Sequence, residues 1–246
     1  MRRLFLILAV LVLAHGTVRA QSEEFPSLYK VTLVRAAPGH LIDLIDLYKE
    51  HQPVYAASGD GAPFWMRHSQ GDQWDLMLLF PMGSYGAYYH PDRIELREAQ
   101  AEAWRAFEER FHEIVAWQSD LFVYGPALPA VEAGFEDAGF FHVEMFEALP
   151  GHHEELIEQR RMENAYLRRL HRPENLLFIK SQGASVDVFT LGFYRDIQHF
   201  AESADIPLDD EDAAARAAGF ESVYTISPYL RSLIREHHDT LAVAIR

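Results

Sequence analysis

Apolar and polar positions alternate along two short stretches of the chain, and both alternations stop at the same three residues. Tyr29 to His40 reads YKVTLVRAAPGH and Phe141 to His152 reads FHVEMFEALPGH. A period of two is the mark of a strand, and Pro-Gly ends it. Beyond each Pro-Gly-His the spacing lengthens to that of a helix. Leu41, Leu44, Ile45 and Tyr48 predict one from about His40 to His51, and its counterpart runs from His152 to about Leu170. The offset that carries Pro38 onto Pro150 also superimposes Ser69-Gln70-Gly71 on Ser181-Gln182-Gly183 and Asp75 on Asp187. A fixed offset held over that length points to an internal duplication.

The remaining pattern completes two similar units. Phe64 to His68 and Trp74 to Phe80 predict a hairpin around Gln70-Gly71-Asp72, and Leu176 to Lys180 with Val186 to Phe193 predict its copy. Asp92 to Gln118 reads as one long helix, with Trp104, Phe107, Phe111, Ile114 and Val115 on a stripe, and Leu121 to Tyr124 as a fourth strand. Gly125 to Gly139 reads as loop. In the second copy Asp196 to Glu202 is a short helix, Ile206 to Glu211 an acidic loop, Pro228 to His238 a helix and Leu241 to Ile245 the last strand. The fold class is therefore α+β: two tandem ferredoxin-like (βαββαβ) repeats, residues 21–126 and 140–246, joined by a linker at 127–139. Helices on one face of each sheet leave the other face bare. Two bare faces in one chain bury each other best as an intramolecular α+β barrel pseudo-dimer with a central cavity.

The stretch from Met1 to Ala20 changes the picture of where the protein works. Arg2 and Arg3 precede an apolar run from Leu4 to Ala14, and Val18-Arg19-Ala20 has the form of a cleavage site. This predicts a signal peptide over residues 1–20 and a periplasmic or secreted protein. Cleavage removes Arg2, Arg3 and Arg19, leaving 19 of the 22 basic residues against 37 acidic ones. So acidic a surface argues against nucleic acid or anionic lipid as a partner, and no membrane attachment is expected after cleavage. A small-molecule ligand is the partner that these residues suggest; they do not fix an oligomeric state.

The paired strand-Pro-Gly-His-helix openings and the Ser-Gln-Gly hairpins resemble the dimeric α+β barrel superfamily, in the tandem style of NIPSNAP-like proteins and related to antibiotic-biosynthesis-monooxygenase-like proteins. The resemblance covers nearly all of the chain beyond Ala20. It implies the barrel and a cavity. It does not imply one activity, because that superfamily includes cofactor-free monooxygenases, EthD-like proteins and haem enzymes such as chlorite dismutases.

Alternation along the strands selects candidate residues. Tyr29, Val31 and Leu33 match Phe141, Val143 and Met145, and this apolar set is expected beneath the helices. Lys30, Thr32 and Val34, matching His142, Glu144 and Phe146, are then expected to look across the barrel. His142 and Glu144, two apart on one strand, could act as a proton-transfer pair, or form a buried ion pair. His68 is a third catalytic candidate, and it, its match Lys180 and the nearby Trp65 are expected to join the same cavity. Asp75 and Asp187 read as turn caps.

His237-His238-Asp239 and His152-His153-Glu154 are the densest groups of metal-ligating types. Adjacent histidines on a helix diverge by about 100°, so His237 and His238 are weak candidates and no metal is predicted. No haem signature, phosphate loop or dinucleotide fingerprint is present, and no cofactor is predicted. Rings around the hairpins, among them Trp74, Tyr85, Tyr88 and Phe193, suit an apolar or aromatic ligand. Three roles follow: a binding protein for such a molecule, a cofactor-independent monooxygenase-like or proton-transfer enzyme acting on it, or a structural pseudo-dimer. The two copies differ on the second face, Lys30 and Thr32 against His142 and Glu144, and the second copy is the expected seat of function.

Overall fold

The computed structural model describes residues 23–245, so the signal peptide expected over 1–20 lies outside the described residues. Eight antiparallel strands close into a barrel in the order β1-β3-β2-β8-β5-β7-β6-β4. The strands are β1 (Ser27–Ala36), β2 (Phe64–Gln70), β3 (Leu76–Gly83), β4 (Val115–Gly125), β5 (Phe140–Ala148), β6 (Leu176–Gly183), β7 (Val188–Tyr194) and β8 (Ile234–Ala244). The longer helices outside the sheet are α1 (Leu41–Ala57), α3 (Pro91–Ala99), α4 (Ala101–Ile114), α6 (His153–Arg169), α8 (Leu208–Ala217) and α9 (Ile226–Leu233). Two short ones, α2 (Tyr85–Tyr88) and α7 (Ile197–Ala201), follow the hairpins, and α5 (Leu128–Glu136) joins the halves.

The offset between Pro38 and Pro150 holds in three dimensions. It carries the bounds of α1 onto those of α6 and the first residues of β2 and β3 onto those of β6 and β7. Gly39 and Gly151 both adopt a φ of 88°, which glycine supplies without steric cost between strand and helix. Just beyond them His40 Nδ1 meets Asp43 at 2.8 Å and His152 Nδ1 meets Glu155 at 2.6 Å. Asp75 accepts the amide of Ala36 and Asp187 that of Ala148, so each aspartate ties its hairpin to the end of the first strand of its half rather than capping its own turn.

The repeated Ser-Gln-Gly has a purpose that the sequence did not reveal. The halves join where β2 meets β8 and where β4 meets β6. Gly71 and Gly183 lie in these seams at φ 111°. A Cβ on Gly71 would come within 2.1 Å of the Asp239 carbonyl, and one on Gly183 within 2.6 Å of the Asp120 carbonyl. Each hairpin thus uses a glycine to bring the other half's last strand into pairing distance.

The barrel interior is solid, and it takes the face assigned above to the helices. Tyr29, Val31 and Leu79 of one half and Phe141, Val143, Phe178 and Phe189 of the other form one buried core. Phe178 stacks on Phe189 at 4.4 Å, and Tyr29 meets Phe178 edge-on at 5.6 Å. Burying each such side chain contributes about 1.5–3 kcal/mol. The opposite faces, with Val34 and Leu78 in one half and Phe146 and Val188 in the other, pack under the helices as two separate cores. The reason for the inversion is physical. Eight strands enclose the interior completely, so it demands the more apolar set, whereas helices cover the outer faces only in part.

The stretch expected to be a loose linker is α5, whose Phe135 touches Phe64 of the first half and Phe141 and Phe193 of the second. It seals one end of the interior. The long predicted helix breaks at Gln100, and its last residues extend β4 instead. Likewise the helix predicted to reach His238 ends at Leu233, and much of the predicted acidic loop is α8.

Candidate functional site

With the interior filled, the space for a ligand lies outside the barrel, between sheet and helices. In the first half α1 and α4 stand away from the strands and leave a cleft of about 790 Å³. Its floor holds Lys30, Thr32, Phe80 and Gln118; Tyr48 and Tyr55 come from α1, and Trp104, Phe107 and Phe111 from α4. Helical spacing produces that wall, since Trp104, Phe107 and Phe111 follow one another at intervals of three and four. The rings brace one another: Tyr48 meets Phe107 at 5.4 Å and Phe111 at 6.2 Å, and Phe107 stacks on Phe111 at 5.6 Å.

Polar groups converge at the floor. The Thr32 hydroxyl donates to Asp120 at 2.6 Å, Gln118 donates to the same carboxylate at 3.0 Å, and the Lys30 ammonium lies 3.9 Å away, 5.0 Å above the Phe80 ring. Burial pushes the phenols of Tyr48 and Tyr55 up, so both stay neutral. At the rim Asp60 holds Arg93 and Arg97, and the Arg97 guanidinium lies 3.6 Å over the Tyr88 ring. Behind the wall His51 is buried with its ring 4.3 Å from that of Trp104, and its Nε2 finds no hydrogen-bond partner among the described residues. Burial lowers the His51 pKa.

The second half closes the corresponding space. Arg160, at the position of Tyr48, is fully buried there and reaches Glu144 at 3.3 Å and Glu163 at 2.5 Å. Thr190 donates to Glu144 at 3.2 Å, His237 lies 3.4 Å from it, and His142 bonds Asp239 at 2.8 Å. Burial opposes ionisation of Glu144, but the His237 hydrogen bond and the Arg160 charge prevail and bring its carboxyl down to about 2. Burial likewise opposes protonation of His142, but the Asp239 hydrogen bond and the Glu144 charge outweigh it and raise its pKa. A carboxylate so strongly held ionised is a poor proton acceptor near neutral pH.

The structure separates the predicted site residues. His142 and Glu144 do lie together, but on the helix-facing side rather than across the barrel, because the interior takes the opposite alternation. Lys30 and Thr32 line the first-half cleft. Phe146 is buried under α6 with Arg160 over its ring, and Trp65 packs edge-on against Tyr48, 6.1 Å away. His68 sits apart near Trp74, and Lys180 is bound to Asp187 at 2.5 Å. His237 and His238 are on a strand, not a helix, and point to opposite faces. His238 turns to Asp72 at 3.2 Å.

Sequence reasoning overlooked Arg160, Glu163 and Asp120, and it named Asp239 only beside His237 and His238, on a predicted helix end rather than on a strand next to His142 and Glu144. A signal was present: the offset between the copies sets Arg160 on Tyr48 and Glu163 on His51, charged residues on a stripe that is aromatic in the other copy.

No protein-family model and no curated protein matches the chain. Among solved structures, an anthrone oxidase-like protein superposes with a TM-score of 0.58 at 14% identity, over 89% of this chain and 92% of that one. The chain has the dimeric α+β barrel fold. A candidate monooxygenase from Lactobacillus acidophilus NCFM shares that barrel with a TM-score of 0.53 at 11% identity, covering 88% of this chain and 93% of its own. Another from Fusobacterium nucleatum subsp. nucleatum has a TM-score of 0.53 at 10% identity, with 89% and 93% covered. At these identities the likeness concerns the barrel fold and not the chemistry.

Proposed function

We propose that the protein binds a small, largely planar aromatic molecule carrying an acidic or phenolic oxygen, in the cleft of its first half. The observation that carries this reading is the cleft itself. Its volume of about 790 Å³ falls in the range of about 300–1,000 Å³ usual for ligand pockets. Its walls are rings, and its floor offers a cation, Lys30, with Thr32 and Gln118 beside it. The apolar walls would hold the body of the ligand and Lys30 its oxygen. The duplicated sequence supports a related inference: the halves are copies of one ferredoxin-like unit, fused as a pseudo-dimer, of which the first kept an open cleft.

Titration with three-ring phenols, followed by calorimetry, tests the reading. Saturable binding at one site, weakened by Ala101→Trp at the wall, is the expected result. Absence of binding, or binding indifferent to Ala101→Trp, would refute it.

Oxidation of the bound molecule by dioxygen is a second reading, favoured by the polar floor beside the ring-lined walls. Asp120 would take a proton from an activated ring carbon and Lys30 would hold the resulting oxyanion for attack on dioxygen. Oxygen uptake with anthrone, lost in Asp120→Asn, is its test.

A further inference from the structure

Strands β5 and β8 run side by side, and their helix-facing positions bring four metal-ligating side chains into one neighbourhood. His142 and Glu144 lie on β5 and His237 and Asp239 on β8, with Glu144 opposite Asp239, His142 opposite Leu241 and Phe146 opposite His237. Residues two apart on a strand share a face, so all four look toward α6. His142, Glu144 and Asp239 each bring one donor atom within 4.8 Å of the others. His142 Nε2 lies 2.8 Å from Asp239 Oδ1, and His237 Nε2 lies 3.4 Å from Glu144 Oε1.

Three features distinguish this group from a scatter of surface charges. Glu144 is buried, and its Oε2 is already fixed by Arg160 and Thr190, which leaves Oε1 facing His237. Such hydrogen bonds behind a ligating carboxylate fix its orientation at metal centres. The Arg160 guanidinium is shared with Glu163, so its charge is not directed at Glu144 alone. The first half has no equivalent group, since Lys30, Thr32, Gln118 and Asp120 stand at these places in the matching register.

We propose that His142, Glu144 and Asp239, with His237 beside them, bind a divalent transition-metal cation in the second half. Imidazole and carboxylate donors without a thiolate suit zinc, manganese or iron. Donors about 2.1 Å from a tetrahedral zinc lie about 3.4 Å from one another, so side-chain rotations close the group. The half-exposed Asp239 leaves a path for the ion. This site is separate from the first-half cleft and stands whether or not that cleft binds a ligand.

The test uses the full chain, stripped with chelator, loaded with Zn²⁺ or Mn²⁺, desalted and assayed by mass spectrometry for metal. One equivalent per chain is expected. Asp239→Asn and His142→Gln should each lower affinity at least about tenfold, while His238→Gln, on the opposite face of β8, leaves it unchanged. Asp239 is exposed enough that its variant should fold, which circular dichroism checks. Metal content well below one equivalent in the wild-type chain would overturn the proposal, as would binding indifferent to both ligand variants.

Discussion

Tyr48 and Arg160 occupy the same place on the covering helix of each half, separated by the offset that carries Pro38 onto Pro150, and they do opposite things. Tyr48 lines an open cleft; Arg160 fills the equivalent space and ties two carboxylates together. This pair, with His51 and Glu163 one turn further on, separates a half with an open cleft from one built around charge.

Arg160→Met tests that contrast. Removing one member of a buried charge group leaves Glu144 without its guanidinium partner, and the expected loss is about 3–5 kcal/mol. Adding Glu144→Gln and Glu163→Gln should restore part of it. Denaturant unfolding of the variants measures both effects.

A turn glycine and a seam glycine make a graded prediction. Gly39→Ala meets no neighbouring atom and should cost about 1–2 kcal/mol, from the left-handed backbone alone. Gly71→Ala adds a clash with the Asp239 carbonyl and should cost clearly more. Equal midpoints for the two variants would contradict the account of Ser-Gln-Gly as a seam device.

His51 should make stability fall in mild acid. Its neighbours are the rings of Tyr55 on its own helix and Trp104 and Phe107 on α4. Because burial depresses its pKa, the neutral ring is favoured. That contribution is complete above about pH 6.5 and is lost as pH falls through the folded-state value. His51→Phe should be less sensitive over this window, as melting temperatures across pH would record.

Much of the architecture was legible in the chain. The Pro-Gly-His openings and their fixed offset predicted both copies of each first helix and hairpin. Less was legible of what faces where, because β1 and β5 carry apolar residues on both faces. The set Tyr29, Val31, Phe141 and Val143 could pack under helices or inside a barrel, and only closure of the sheet decides. The bounds of α4 and β4 were hidden for a related reason. The apolar stripe through Phe107, Phe111 and Ile114 runs on into Val115 without a glycine or proline to mark the change. The cleft depends on how far α1 and α4 stand from the sheet, which no local pattern encodes.

Lys30 separates two contributions to ligand binding. Lys30→Ala removes the cation of the cleft floor and should weaken an anionic aromatic ligand by about tenfold or more, while a neutral analogue of the same shape is little affected. Paired calorimetric titrations of the two ligands provide the comparison.

All four tryptophans lie in the first half, and Trp104 lies in the cleft wall. A chain with Trp65→Phe, Trp74→Phe and Trp117→Phe therefore reports on that wall alone. Titrated with a three-ring phenol, its fluorescence should be quenched in a saturable one-to-one manner, and Lys30→Ala should shift the midpoint upward. A ligand that binds the chain by calorimetry yet leaves Trp104 fluorescence unchanged would contradict the assignment of the cleft.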